Sequence, residues 1–241
     1  MAYTTIDDSE AYFQTLAYTG AGGTQVKTFT GETDMVPDMV WIKCTDQDEN
    51  NGIYDITRGG QALVSPNLSG AESTISGVTA FGADGFTVGA SGTTGYNTQN
   101  YVSYSWNTQG GAGSSNTDGS INTTTTSVGQ TQGFSISTYT GTGSNATVGH
   151  GLSAAPEMII IKRRNGTSEW LVYHKGFASD PHTDYMVLHG AGALVDDATA
   201  WQDTAPTTSV YSIGTYTDIN ASGGTMVAFA WRGVQGFSKF G

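Results

Sequence analysis

The chain reads twice. Phe13-Gln-Thr-Leu-Ala-Tyr18-Thr19-Gly20 returns 121 positions later as Phe134-Ser-Ile-Ser-Thr-Tyr139-Thr140-Gly141. Pro37-Asp-Met39-Val40-Trp41-Ile42-Lys43 returns after 119 positions as Pro156-Glu-Met158-Ile159-Ile160-Ile161-Lys162. Asn51-Gly52 with Ile53-Tyr54 sits opposite Asn165-Gly166 and Trp170-Leu-Val-Tyr173. Phe86-Thr-Val88-Gly89 and Tyr101-Val-Ser-Tyr104-Ser-Trp106 match Tyr211-Ser-Ile213-Gly214 and Met226-Val-Ala-Phe229-Ala-Trp231, both 125 positions on. Five blocks in one order, drifting only where loops fall, predict two copies of one module. Expected bounds are an arm over 1–12, a first module over 13–107, a linker over 108–132 and a second module over 133–235. Residues 236–241 echo the start of the second module, so they read either as an edge strand or as the start of a third.

Each module carries the marks of β structure. Tyr101, Ser103 and Ser105 alternate with Val102, Tyr104 and Trp106, the period of a half-buried strand. Met158 to Ile161 is continuously apolar, as in a strand covered on both faces. Asn51-Gly52 and Asn165-Gly166 suit two-residue hairpin turns. About seven short strands per module predict an all-β protein made of two tandem antiparallel sandwiches of jelly-roll type. A short helical turn is open to residues 191–200. The segment from Thr108 to Gly133 is rich in Gly, Ser and Thr, with Thr123 to Thr126 in a row, and reads as a linker or long loop.

Charge narrows the functions. Nine Lys and Arg against 21 Asp and Glu give −12, so nucleic acid and anionic membranes are poor partners. No apolar run reaches the length of a membrane span, and the N-terminus lacks the cationic and apolar parts of a secretion signal. The single cysteine, Cys44, cannot form a disulfide within the chain.

The candidate chemical motifs are weak. Thr45-Asp46-Gln-Asp48-Glu-Asn50-Asn51-Gly52 has oxygen ligands at alternate positions, as calcium needs. The cationic Lys162-Arg-Arg164 in the second copy favours a solvated hairpin tip instead. The Gly-rich stretches after the first strand of each copy are followed by extended-type sequence, not by the helix a phosphate cradle needs. His150, His174, His182 and His189 fall only in the second copy, with no converging spacing, and read as surface or rim residues. No metal, cofactor or catalytic set is expected. Trp201, between Asp197 and Asp203 in a polar stretch, is the first candidate to stack on a sugar face, with Tyr96 and Tyr185 behind it. The competing reading folds these aromatics back onto their own module.

Several stretches together resemble one known family. They are Ala11-Tyr-Phe-Gln-Thr-Leu-Ala-Tyr-Thr-Gly20, Val36-Pro-Asp-Met-Val-Trp-Ile-Lys43, Tyr54-Asp-Ile-Thr-Arg-Gly59, the run from Phe134 to Leu152, Thr199-Ala-Trp-Gln-Asp-Thr-Ala-Pro206 and Gly236-Phe-Ser-Lys-Phe-Gly241. The chain resembles the tandem-repeat, tail-fibre-like virion proteins of tailed phages of aquatic bacteria, which have concanavalin-like jelly-roll modules. The resemblance implies a non-enzymatic structural protein, made in a host cytoplasm and carried on the virion, on the tail first and the capsid surface second. It implies other virion proteins as partners, a homotrimer by analogy, and host polysaccharide as the contacted surface. A capsid decoration protein is the alternative, and a carbohydrate-active enzyme stands behind both.

Overall fold

A computed structural model describes residues 6–178 and 180–241. The chain divides into two compact units, residues 7–111 and residues 112–241, with Ile6 grouped with the latter. The protein is mostly β, with several antiparallel sheets and, among the described residues, two four-residue helices.

The N-terminal unit holds β1 (Phe13–Thr19), β2 (Gln25–Thr28), β3 (Met39–Cys44), β4 (Gly52–Asp55), β5 (Ala62–Leu63), β6 (Ser73–Thr74), β7 (Val78–Gly82), β8 (Gly85–Val88) and β9 (Asn100–Trp106). They form a sheet of order β1-β9-β3-β4, a sheet β2-β8-β7 and a small pair β5-β6. The alternation read in β9 is real: Tyr101, Ser103 and Ser105 are buried while Tyr104 is exposed. Val40, Ile42, Tyr54 and Tyr101 from the first sheet share one apolar cluster with Val78, Phe86 and Val88 from the second. Each such buried side chain contributes about 1.5–3 kcal/mol of transfer free energy.

The C-terminal unit holds β10 (Thr125–Gly129), β11 (Phe134–Thr140), β12 (Ala146–Gly149), β13 (Met158–Arg163), β14 (Trp170–His174), β15 (Asp184–Val187), β16 (Val195–Asp196), α1 (Ala198–Trp201), β17 (Val210–Ile213), α2 (Thr217–Asn220) and β18 (Thr225–Trp231). One sheet runs β10-β11-β18-β13-β14-β15-β16, and β12 pairs with β17. Ile159, Ile160 and Ile161 are all buried, as their unbroken apolar run predicts. The order β11-β18-β13-β14 matches β1-β9-β3-β4, and so does the register: Trp231 lies between Phe134 and Met158 as Trp106 lies between Phe13 and Met39. Gly22 and Gly143, also 121 apart, both adopt left-handed backbone, φ 71° and 73°, a conformation that costs glycine nothing. Lys43 Nζ donates to the Glu49 carbonyl at 2.7 Å, and Lys162 Nζ to that of Ser168 at 2.9 Å, closing equivalent loops alike.

Four expectations need correction. The 108–132 segment is not a linker. Its residues from Ala112 onward belong to the C-terminal unit, where β10 pairs with β11 and Ile121 enters the core. Its hydroxyls bond one another: Thr123 with Thr126 at 2.9 Å, Thr126 with Ser137 at 3.1 Å and Thr125 with Thr138 at 2.8 Å. A Thr-rich run can therefore pair as a β-branched strand without apolar side chains. Residues 236–241 form no strand: Val234 bridges Ser238, and the Phe240 ring packs 6.2 Å from His174. The Asn-Gly pairs make no two-residue turns. Gly52 already lies in β4, and none of the four residues has positive φ. The arm over 1–12 falls partly outside the described residues, but Asp8 and Glu10 are tied to the loop at Glu32 and Thr33. The helical turn comes at the end of its expected range, as α1, with Asp197 capping through its contact to the Thr199 amide.

Candidate contact groove

The three aromatic candidates part company in the structure. Trp201 is 2% exposed and donates its indole N–H to the Asp184 carbonyl at 3.0 Å. Its ring meets Tyr173 edge-on at 6.0 Å. The polar flank that suggested exposure is spent on the backbone, since Gln202 Nε2 donates to the carbonyls of Ala146 and Ile213. Tyr185 is also buried, its hydroxyl bonded to that of Tyr216 at 2.8 Å. Neither can stack on a ligand as it stands. Tyr96 is 45% exposed.

Tyr96 is tied through its backbone to an open groove of about 350 Å³ lined by Ala17, Tyr18, Thr19, Thr45, Asn100 and Val102, among others. The link is Tyr101, also in the lining, whose hydroxyl accepts from the Tyr96 amide at 3.0 Å and donates to Gln99 Oε1 at 2.8 Å. Strand pairing explains the rest. Thr19 and Asn100 face each other at the ends of β1 and β9, and Thr45 follows β3 directly, its amide donating to the Asn100 carbonyl at 2.8 Å.

Asn100 is fixed from several sides. Its amide reaches both Asp46 carboxylate oxygens at 3.0 Å, and its Nδ2 reaches Oδ2 at 2.8 Å. Thr19 Oγ1 donates to its Oδ1 at 2.9 Å, and Thr45 Oγ1 to its carbonyl at 3.1 Å. The Asn100 backbone amide, with further donors, holds Asp46 below the usual carboxylate range. The acidic stretch read as a calcium motif or a hairpin tip thus uses Asp46 to brace this edge. Under the groove, Tyr18 stacks on Tyr101 at 5.3 Å, and Lys27 sits 4.5 Å over the Tyr18 ring. The result is a braced wall of hydroxyl and amide groups that includes the half-buried Tyr18 ring. It suits a polyhydroxylated ligand held by hydrogen bonds and ring contact.

Sequence reading missed Thr19, Thr45 and Asn100, because hydroxyl and amide residues are common throughout this chain and only strand pairing gathers these three. Among the described residues no three His, Cys, Asp or Glu side chains group as a metal site. His150, expected at the surface, is fully buried, with Nδ1 accepting from the Leu152 amide and Nε2 3.2 Å from the Thr207 carbonyl. Burial pushes its imidazole down to about 4. The other three histidines are half-buried and dispersed.

Comparison with curated proteins and with solved structures returned no match. A family model described as a domain of unknown function (DUF7483) matches residues 8–241. That match takes in both units and the groove between β1 and β9, and the chain belongs to this family.

Proposed function

We propose that the protein is a non-enzymatic structural component of a tailed-phage virion, a tail-fibre or host-attachment protein that touches cell-surface glycan. The five repeated blocks and the shared strand order support reading the units as two copies of one jelly-roll-like module. Paired sheets make a stiff scaffold, and loops at their ends carry the contact surface. The observation that carries the reading is the braced groove of Thr19, Thr45 and Asn100, with exposed Tyr96 bonded through its amide to Tyr101 of the same lining. A shallow polar site of this kind binds weakly alone. Many copies on one particle turn weak contacts into firm attachment.

The test presents the full chain in many copies on beads and measures retention of host cells and of their purified polysaccharide. Retention that falls at least about tenfold in the Tyr96→Ala, Asn100→Ala double variant supports the reading. Retention unchanged in that variant, no retention at all, or shortening of the polysaccharide by the protein sinks it.

A further inference from the structure

The two units differ at one sheet edge. In the C-terminal unit β11 has β18 on one side and β10 on the other, with Thr125 opposite Thr138 and Gly129 opposite Phe134. In the N-terminal unit β1 holds the corresponding place beside β9, and among the described residues no strand flanks its other side. The ladder shows which groups face outward. Asn107 donates its amide to the Tyr12 carbonyl at 3.0 Å, and Gly20 donates to that of Gln99 at 2.9 Å. Alternate residues of an antiparallel pair bond the partner, so the amides and carbonyls of Thr15 and Ala17 aim at the open side. Among the described residues no hydrogen bond reaches them, and both residues are exposed. A groove of about 380 Å³ lies at this edge, lined by Glu10, Phe13, Thr15, Thr30 and Gly31 with their neighbours.

The other sheet repeats the contrast. Thr147 in β12 accepts from the Ile121 amide through its carbonyl at 3.0 Å and from the Ser120 amide through its hydroxyl at 2.9 Å. The residue 121 positions earlier, Val26 in the outermost strand β2, is 73% exposed. The segment 112–129 thus closes two edges in the C-terminal unit whose counterparts in the N-terminal one are, among the described residues, unflanked.

Charge selects the occupant. Glu10, half-exposed, lines this groove; exposed Asp8 and Glu32 adjoin its lining residues Ser9 and Gly31 in sequence, and exposed Asp7 and Asp34 lie within three residues of them. The one cation within residues 7–34, Lys27, is engaged with the Thr19 carbonyl at 3.1 Å. A second copy of a chain of net charge −12 meets repulsion here, whereas a cationic segment is drawn in.

We propose that the β1 edge is a docking site for an extended, Lys/Arg-bearing segment of a partner protein, which adds as an antiparallel strand along residues 15–17. Main-chain hydrogen bonds supply the affinity and the acidic rim supplies the selection. An open edge invites pairing in any β protein. Here the acidic rim restricts which strands can approach.

The experiment follows amide hydrogen exchange of Thr15 and Ala17 in the full chain. The probes are a synthetic Lys-Thr-Val-Thr-Val-Lys peptide and its Glu-Thr-Val-Thr-Val-Glu analogue, at about 1 mM, where weak strand addition registers. The expected result is exchange slowed at least about tenfold at both amides by the Lys peptide only, with the effect lost at high salt. Ala17→Pro removes an outward donor and leaves the β9 ladder its own bonds. It abolishes the protection at Thr15. Glu32→Lys with Asp34→Lys, both on the surface, weakens the Lys peptide without touching the strand. The proposal is overturned by protection already present in dilute protein without peptide, by protection that grows with protein concentration alone, by equal response to both peptides, or by no response to either.

Discussion

The N-terminal and C-terminal units place the same strand order in the same register and then finish it differently. Opposite Met39 stands Asp55, and opposite Met158 stands His174. Arg58, three residues past Asp55, has its side chain fully removed from water and bonded to Asp55 Oδ2 at 2.5 Å and to Glu72 at 2.9 Å. It also donates to the carbonyls of Ile53 and Ala62. Lys175, next to His174, pairs instead with Glu157 at 2.9 Å while 42% exposed. The edges differ as well, closed by residues 112–129 in one unit and, among the described residues, unflanked in the other. A ladder therefore sets where strands go but leaves open how its ends and edges are sealed. One unit uses buried charge where the other uses a wet ion pair.

Removing one partner from the buried network breaks the comparison most sharply. Arg58→Ala strands Asp55 without its cation and is expected to cost about 3–5 kcal/mol, read as a lower unfolding midpoint of the N-terminal unit in urea. Lys175→Ala, just past the strand end that corresponds to Asp55, is expected to cost under about 1 kcal/mol. Equal losses would erase the distinction. Trp201→Ala is expected to cost about 3–5 kcal/mol by opening a cavity, and to leave glycan retention unchanged while the protein remains folded. Ile121→Ala follows at about 2–4 kcal/mol, seen as faster exchange in β12. No change there would mean that the 112–129 segment does not help to hold the C-terminal unit.

His150 gives a pH-dependent effect confined to the C-terminal unit. Its folded pKa, about 4, lies below the ordinary 6.5. Between those values the unfolded chain takes up the proton more readily than the folded one. Stability contributed by the neutral buried ring is thus present above pH 6.5 and is lost as pH falls towards 4, with a slope of about 1.4 kcal/mol per pH unit. His150→Gln flattens that slope if the ring is its source. Tyr96→Ala sits at the bottom of the scale, within about 0.5 kcal/mol in stability, and its effect is read in binding.

Much of the strand content was legible because it depends on local spacing. Period-two alternation placed β9, the unbroken apolar run placed β13, and the repeated blocks aligned strands that share a register. The candidate site was legible only at Tyr96. Trp201 misled because its neighbours are polar, yet Asp197 caps a helix and Gln202 bonds two buried carbonyls, and neither role leaves a mark in composition. Thr123 to Thr126 misled for a related reason. Hydroxyls that look solvated in a sequence become partners for one another once two strands align.

From its sequence alone this chain is committed to short extended segments, to a β scaffold without disulfides and to an acidic surface. Those follow from side-chain shape, glycine placement and charge count, all of which act over a few residues. Tertiary structure decided the rest. Residues 81 apart, Thr19 and Asn100, meet only because β1 pairs with β9, and only the strand order shows that, among the described residues, no strand closes the outer edge of β1. Contacts across such separations are set by the cost of closing long loops against the packing gained, a balance struck by the whole fold.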